Sequence, residues 1–279
     1  MSTATRRTRR VRPGSVVTGL LAWVVALVMF FPVLWMFVTG FKQESQAATD
    51  PPTWLFTPTL EQFRAILGRD FVPYLLNSLM ASVGSTALVI VLATPAAYAL
   101  SLAPVGRWKD SLFFFISTRM MPPVAIILPL YLMANNLGLL DNITMLSLIY
   151  TVMNLPIAVW MIRSFLLELP KEVLEAARVD GAAFGAEIRR IILPMIAPGL
   201  AATGLICFIF AWNEFFFAVS LTSTNAPTVP VFLTGFVTSE GLFLARLSAA
   251  ATMAALPVIL AGWVAQKWLV RGLSLGAVK

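Results

Sequence analysis

Seven stretches without a charged residue divide this chain, and each is long enough to cross a lipid bilayer as a helix. They cover residues 13–41, 71–106, 120–140, 142–162, 191–213, 215–239 and 247–266. A transmembrane helix needs about 20 mostly apolar residues. Charged residues make up only 12% of the sequence, too few to cover the surface of a soluble protein of this length. The sequence therefore predicts an all-α membrane protein.

Six membrane spans are expected from the seven stretches. Residues 222–230 are rich in Thr, Ser, Asn and Pro, which is typical of a loop, so the apolar start of the sixth stretch extends the helix before it. The predicted spans cover residues 16–39, 73–101, 111–134, 143–165, 196–221 and 246–268. We expect residues 1–15 to form a basic tail and residues 16–279 to form one transmembrane domain.

The distribution of basic residues predicts the orientation. Fifteen of the twenty Lys and Arg residues lie in the N-terminal tail, in the loops after the second and fourth spans, and after the sixth span. Cytoplasmic loops are enriched in Lys and Arg, so we expect both termini in the cytoplasm. The first apolar run exceeds the core of a signal peptide, about 7–15 residues, which favours an uncleaved anchor. The tail is interpreted as an orientation signal, with binding to anionic membrane lipid as the alternative.

Missing residue types exclude several kinds of chemistry. The chain has no His and one Cys, Cys207, so His-based catalysis, a disulfide within the chain and the common metal centres are not expected. No Lys follows a Gly, so there is no phosphate-binding loop of the GxxxxGK type. We therefore expect no cofactor, no metal and no enzyme activity, and an intramembrane protease is disfavoured. If ATP drives the protein, another chain binds it.

The segment between the fourth and fifth spans, residues 168–194, is polar yet regular in pattern. Pro170 and Glu172 are typical of a helix start, and Asp180–Gly181 predicts the end of that helix. A second helix is expected to run to Pro194. Two short helices joined by a Gly turn predict a compact cytoplasmic knob.

Within this segment, residues 175–182 (EAARVDGA) and 191–194 (IILP) resemble the EAA motif of ABC-importer permease subunits. The motif consists of EAA, three residues, Gly, nine residues and Ile-x-Leu-Pro. The chain matches it at Glu175, Ala176, Ala177, Gly181, Ile191, Leu193 and Pro194. The setting, a cytoplasmic loop before the last two spans, also agrees. A chance match in an ordinary polar loop is the alternative interpretation.

The resemblance implies a type I ABC-importer permease fold, with six transmembrane helices and a cytoplasmic helical coupling loop. It implies a second permease subunit in a heterodimer, two ATP-binding cassette ATPase subunits that dock on the loop, an extracytoplasmic solute-binding protein, and no nucleic acid. Glu175 and Asp180 would interact with the ATPase or cap the helix turn, Ala176 and Ala177 would allow close approach, and Gly181 would permit the bend. The expected location is the cytoplasmic (inner) membrane of a bacterium or archaeon.

Other stretches resemble the carbohydrate-uptake branch of this family. Residues 210–215 (FAWNEF), 127–131 with 137–139, and 271–279 (RGLSLGAVK) look like the second permease subunit of maltose-type importers. Residues 118–123 (TRMMPP) and 263–267 (WVAQK) are similar to sorbitol and mannitol members. The resemblance therefore implies a sugar or sugar alcohol as substrate.

Five residues are candidates for the substrate pathway. Arg119 and Glu214 are charges within or near spans, where a charge without a role is costly. Trp212 and Asn213 combine an aromatic face with an amide, which suits a sugar, and Asn77 is a polar residue inside the second span. The alternatives are an ion pair between Arg119 and Glu214, packing for Trp212, and helix packing for Asn77.

The sequence also predicts local structure in the extracytoplasmic loops. Residues 50–58 cannot form a regular helix, whereas Thr59 and Gln62 predict a capped short helix at the outer interface. This stretch either packs on its own spans or docks an external partner, and residues 222–246 resemble the segment that reaches towards the binding protein.

The alternative function is a subunit of an ion-gradient-driven secondary transporter or channel. Such a protein would require intramembrane acidic residues and no ATPase-docking loop.

Overall fold

The computed structural model describes residues 13–68, 71–103, 106–239 and 241–276. Its α-helices are α1 (Pro13–Thr39), α2 (Glu44–Ala47), α3 (Glu61–Leu67), α4 (Phe71–Ala99), α5 (Trp108–Arg119), α6 (Pro123–Asn136), α7 (Ile143–Leu167), α8 (Lys171–Val179), α9 (Phe184–Ala186), α10 (Leu193–Trp212), α11 (Phe216–Leu221), α12 (Val229–Thr234) and α13 (Leu244–Gly276). A π-helical segment covers Glu187–Ile192, and two two-residue strands are β1 (Val237–Thr238) and β2 (Gly241–Leu242). The predicted all-α class is confirmed.

Among the described residues, five helical segments are long and apolar enough to cross a membrane. They are Val17–Thr39, Phe71–Ala99, Ile143–Leu167, Phe184–Trp212 and Leu244–Lys267. The pair formed by α5 and α6 brings the number to six if it is counted as one broken span. The structure therefore has the six predicted spans when the α5–α6 pair is counted as one of them. Residues 1–12 of the predicted tail (1–15), Arg69 and the C-terminal residues 277–279 lie outside the described residues.

The third predicted span is a bent pair of helices, not the single helix expected at 111–134. Helix α5 ends at Arg119, α6 begins at Pro123, and the two axes are bent by 88°. Pro122 and Pro123 have no N–H to donate to the preceding turn, and their rings clash with its carbonyls. The proline pair was visible in the sequence, but the predicted span at 111–134 was drawn through it.

The fifth predicted span also differs from the helix in the structure. Instead of continuing to residue 221, α10 ends at Trp212 and the chain resumes as α11 at Phe216. At the other end, the helical segment begins at Phe184, inside the predicted coupling loop, and continues through the π-helical segment. The second helix of the knob is therefore the beginning of a span, and Pro194 lies in the first turn of α10.

The chain divides into two compact units. One comprises residues 1–66 and 242–252, and the other comprises residues 67–241 and 253–279. The second unit has its core where α4, α7 and α10 pack. Small residues allow this close packing, and at Gly199 an added Cβ would lie only 2.3 Å from the Phe165 ring. Gly199 is therefore required for the contact of α10 with α7.

The first unit contains α1, α2 and the start of α13. Helix α1 is apolar on all sides, and its residues 17–34 are exposed. Glu44 on α2 accepts hydrogen bonds from the N–H groups of Ala245 (2.8 Å) and Arg246 (3.2 Å). These N–H groups lie in the first turn of α13, where no helical carbonyl is available to them. The predicted short outer helix is present as α3, where Thr59 accepts a bond from the Glu61 N–H at 3.1 Å.

Candidate functional site

The predicted knob is a short exposed helix, α8, packed on the beginning of the next span. Leu174 and Ala177 form the buried side of α8. Glu175 and Ala176 are exposed on its other side. Of the predicted coupling residues, Ile191 is half-buried and Pro194 exposed, while Leu193 packs against the core cluster of the second unit. The structure thus brings the EAA residues together at one end of the α4–α7–α10 core.

The turn after α8 depends on Gly181. Its φ is +79°, in the left-handed region that L side chains rarely adopt. The Asp180 N–H donates to Ala176 O and the Gly181 N–H donates to Arg178 O, which closes the end of the helix. Nothing lies within 4 Å of the position a Cβ would take at Gly181. The constraint at Gly181 is therefore one of backbone conformation and not of space.

An open groove of about 520 Å³ lies on the knob where α8, the turn after it and Ile191 meet. It is lined by Glu172, Val173, Ala176, Ala177, Asp180, Ala182 and Ile191. The lining thus combines three small Ala residues with two acidic residues. A protruding side chain of a partner could seat here, and the two carboxylates favour a basic or hydrogen-bond-donating partner surface.

An ion pair that was not predicted from the sequence holds the knob together. Arg178 contacts Glu187 through two hydrogen bonds, Nη2 to Oε1 at 2.9 Å and Nε to Oε2 at 3.3 Å. The Glu187 side chain is only 5% exposed, and a buried carboxylate of this kind needs such a partner. The sequence showed only that Arg178 follows the EAA residues and that Glu187 lies in the next predicted helix, which does not establish that they pair. The pair fixes α8 against the π-helical segment.

Arg119 lies at the bend between α5 and α6 and reaches towards α7 and α10. Its Nη1 donates to the carbonyl oxygen of Met153 at 2.6 Å, and its guanidinium carbon lies 5.3 Å from the centre of the Phe210 ring. Pro156, three residues further along α7, has no N–H to donate to the preceding turn of the helix. In the part of the chain that the structure describes, Arg119 forms no ion pair with Glu214.

Phe210 and Asn213 extend this group of accessible residues. They are three residues apart, so they share one side of the end of α10. Phe210 is 38% exposed, and Asn213, also exposed, donates from Nδ2 to Ile209 O at 2.8 Å. Arg119, Phe210 and Asn213 therefore combine a cation, a ring and an amide. Phe210 stood within the quoted FAWNEF motif but was not among the candidates.

Glu214 and Trp212 have partners inside the protein. Glu214 accepts from the N–H groups of Phe217 (2.9 Å) and Ala218 (3.2 Å), so it caps the start of α11. Trp212 is 4% exposed and stacks on Phe208, with ring centres 5.7 Å apart. The break between α10 and α11 is thus stabilised by Glu214, and Trp212 packs within the second unit.

Asn77 lies beneath the loop that follows α11. Its Nδ2 donates to the carbonyl oxygens of Asn225 (3.0 Å) and Pro227 (3.1 Å). The neighbouring Ser78 accepts from the Val229 N–H at 2.7 Å. The contacts of Asn77 described by the structure are therefore with this loop, while its place on the pathway stays a prediction.

Asp141, which lies between α6 and α7, anchors the same loop. Its carboxylate accepts from the backbone N–H groups of Ser223, Thr224, Asn225 and Ala226 at 2.8–3.0 Å, and from Asn225 Nδ2 at 2.9 Å. Burial acts to raise the pKa of Asp141, but these backbone bonds outweigh it and hold the pKa well below its usual range. A carboxylate with a lowered pKa stabilises the fold above its ordinary pKa, and that contribution is lost as the pH falls through the lowered value. We call Asp141 and residues 222–229 the outer clamp, after the extracytoplasmic side on which the sequence predicts this loop.

Comparison with known proteins identifies a family model that covers most of the spans. The model described as "Binding-protein-dependent transport system inner membrane component" matches residues 89–275. The match includes α8, the turn at Gly181 and the outer clamp. It begins within α4, so α1 lies outside it.

Individual relatives extend the similarity over nearly the whole chain. The diacetylchitobiose uptake system permease protein DasC of Streptomyces coelicolor is 32% identical over 95% of this chain and 98% of its own. The trehalose transport system permease protein SugB of Mycobacterium tuberculosis is 32% identical over 89% of this chain and 92% of its own. A chain in the crystal structure of a bacterial ABC transporter involved in the import of the acidic polysaccharide alginate has the same fold, with a TM-score of 0.72, 21% identity, and coverage of 94% of this chain and 100% of that chain.

Proposed function

The chain belongs to the family of binding-protein-dependent transport system inner membrane components, and we propose that it forms part of the pathway of an ATP-driven importer for a neutral carbohydrate. As a member of this family it is a multi-pass inner-membrane permease component of an ABC importer, and not its ATPase. Its complex includes an ATPase, a second permease and a periplasmic binding protein. The observation that carries the proposal is the exposed EAA knob packed on the start of a span.

The knob is proposed to receive force from the ATPase. Helix α8 is short, its buried side is packed, and Arg178 fixes it to Glu187, so it would move together with the span that begins at Phe184. Packed elements move as rigid bodies because interiors are close-packed. Two copies of the ATPase are proposed, one for this permease and one for its non-identical partner.

The proposed substrate is a sugar or a sugar alcohol. DasC and SugB are named for diacetylchitobiose and trehalose, and the resemblance of residues 118–123 and 263–267 supports sorbitol or mannitol as the finer assignment. A neutral substrate is supported by these two relatives, because both named sugars are uncharged. It is also supported by the mixture of an aromatic ring and an amide beside Arg119, which suits sugar hydroxyl groups and C–H faces.

Purification and reconstitution of the importer tests this function. The tagged chain should co-purify with a second permease and an ATPase, and its binding protein loaded with mannitol or sorbitol should stimulate ATP hydrolysis. Stimulation by trehalose or diacetylchitobiose alone would reject the sugar alcohols and retain the importer. Uptake driven by an ion gradient without ATP would contradict the importer itself.

The group formed by Arg119, Phe210 and Asn213 is the proposed substrate contact. Replacing Asn213 by Ala removes an exposed amide, and we expect the apparent KM for sugar uptake to rise about tenfold, since a lost hydrogen bond costs about 1 kcal/mol or more. Trp212→Phe is the matched control, because this neighbour is buried and retains a stacking ring. An equal effect of both variants, or normal uptake by Asn213→Ala, would exclude the contact.

The topology is proposed with both termini in the cytoplasm, residues 1–15 as a tail and residues 16–279 as the permease domain. The excess of basic residues on one side supports this orientation. A protease-cleavable tag after Lys279 should be cut in inverted vesicles and protected in sealed cells. The reverse pattern would overturn the orientation. With both termini in the cytoplasm, the outer clamp and α12 would lie on the periplasmic side, where the binding protein is proposed to dock.

A further inference from the structure

The loop after α1 folds back along that helix. The Trp54 ring lies 4.8 Å from the Trp35 ring and 6.4 Å from the Phe31 ring, measured between centres. Trp35 and Phe31 precede the end of α1, at Thr39, by four and eight residues. With a rise of about 1.5 Å per residue, they lie about 6 and 12 Å below that end. Trp54 therefore reaches a level within the last turns of a membrane span.

The tip of this loop exposes apolar surface. Leu55 is 94% exposed and Trp54 is 65% exposed, although Trp54 packs on α1, whose residues 17–34 are themselves exposed. Residues 51–60 contain no charged residue. The exposed surface of the tip thus continues the apolar surface of α1.

Part of the backbone of the loop is hydrogen-bonded within the protein. Pro51 and Pro52 have no N–H. The Thr53 N–H donates to Thr49 Oγ1 at 3.2 Å, and the Thr59 N–H donates to Phe41 O at 2.9 Å. Irregular backbone is poorly tolerated near hydrocarbon unless its polar groups have partners. The N–H groups of Thr53 and Thr59, on either side of the exposed tip, meet that condition.

Lys42 fastens the loop to α1. Its Nζ donates to Thr53 O at 2.8 Å and lies 4.2 Å from the centre of the Trp35 ring and 5.3 Å from that of Phe56. The Lys42 side chain is almost fully buried, at 1% exposure. An ammonium group between two aromatic faces is stabilised by their π electrons. Lys42 therefore holds the tip at a fixed depth.

We propose that Trp54 and Leu55 insert into the bilayer around the C-terminal end of α1, which is the outer leaflet in the orientation proposed above. Trp is enriched at the membrane–water interface because its ring is apolar and its N–H can bond to water or headgroups. The continuity with α1 and the absence of charge favour lipid over a soluble partner. The tip fixes the height of α1 in the membrane.

Spin labelling of the whole importer tests this proposal independently of its substrate. A nitroxide is attached at Leu55→Cys, with Cys207→Ala in this chain and cysteine-free partner subunits, in vesicles of phosphatidylethanolamine and phosphatidylglycerol. We expect collisions with oxygen, which dissolves in lipid, to exceed those with a water-soluble nickel chelate. Labels at exposed Val24 on α1 and exposed Ser45 on α2 serve as the lipid and water references.

Each other outcome overturns the proposal. A label at position 55 that matches the one at Ser45 would place the tip in water. Protection from both reagents would show that a protein, such as the second permease, covers it. Lys42→Met should shift the label towards the nickel-accessible range, because Thr53 O loses its donor, whereas Lys42→Arg should restore the depth.

Discussion

Replacement of Gly181 by Val is expected to abolish substrate-stimulated ATP hydrolysis and uptake while leaving the chain in the membrane. The φ of +79° at this position is unfavourable for L residues by about 1–2 kcal/mol, and a β-branched side chain makes it worse. The turn would relax to a negative φ and α8 would leave its position on the following span. ATPase and uptake assays in reconstituted vesicles measure the loss.

Position-matched variants separate conformation from bulk. A Cβ added at Gly181 or at Gly185 would have no atom within 4 Å, but Gly185 is not among the residues with positive φ. Gly185→Val should therefore retain most of the coupling. Gly181→Asn should be milder than Gly181→Val, since Asn tolerates the left-handed region. Normal uptake by Gly181→Val, or equal losses in both Val variants, would refute the proposed role of the turn.

The spans and the knob could be predicted because their signals are local. Uncharged stretches of sufficient length mark spans whatever their neighbours are, and the EAA residues fall within 20 positions of one another. The end of α8 followed from Gly181 alone. The errors occurred where side-chain chemistry overrode hydrophobicity, at the Pro122–Pro123 bend and at Glu214, which starts α11.

The contacts that organise the site could not be predicted, because they join distant parts of the chain. Asp141 meets Ser223 across 82 positions and Asn77 meets Asn225 across 148. Arg119 finds a carbonyl oxygen of Met153, which any residue type would supply. A single sequence contains no information on such pairings. It could name Arg119 and Asn77 as unusual residues, but not their partners.

The outer clamp gives the second large prediction, in which Asp141→Asn weakens docking of the binding protein. Asn accepts the φ of +55° at this position, so the variant isolates the carboxylate. One of its two oxygens becomes an NH₂ group that faces backbone donors, and at least one charge-assisted hydrogen bond is lost. Such a bond contributes about 1.5–3 kcal/mol. Allowing for partial exposure, we expect about a tenfold rise in the KM for the loaded binding protein, equivalent to about 1.4 kcal/mol.

The control for this prediction is Asp110→Asn, because the Asp110 carboxylate pairs with Arg107 on an open surface where the two side chains are 64% and 87% exposed. That variant should leave the KM unchanged, since exposed pairs contribute little.

The maximal ATPase rate should change less than the KM in Asp141→Asn, because the clamp positions a docking loop and does not touch the knob. Wild-type KM should show no titration of the clamp between pH 5 and 8, because the pKa of Asp141 lies well below this range. A fall in maximal rate with an unchanged KM would mean that the clamp supports the fold of the α4–α7–α10 unit and not the docking of a partner.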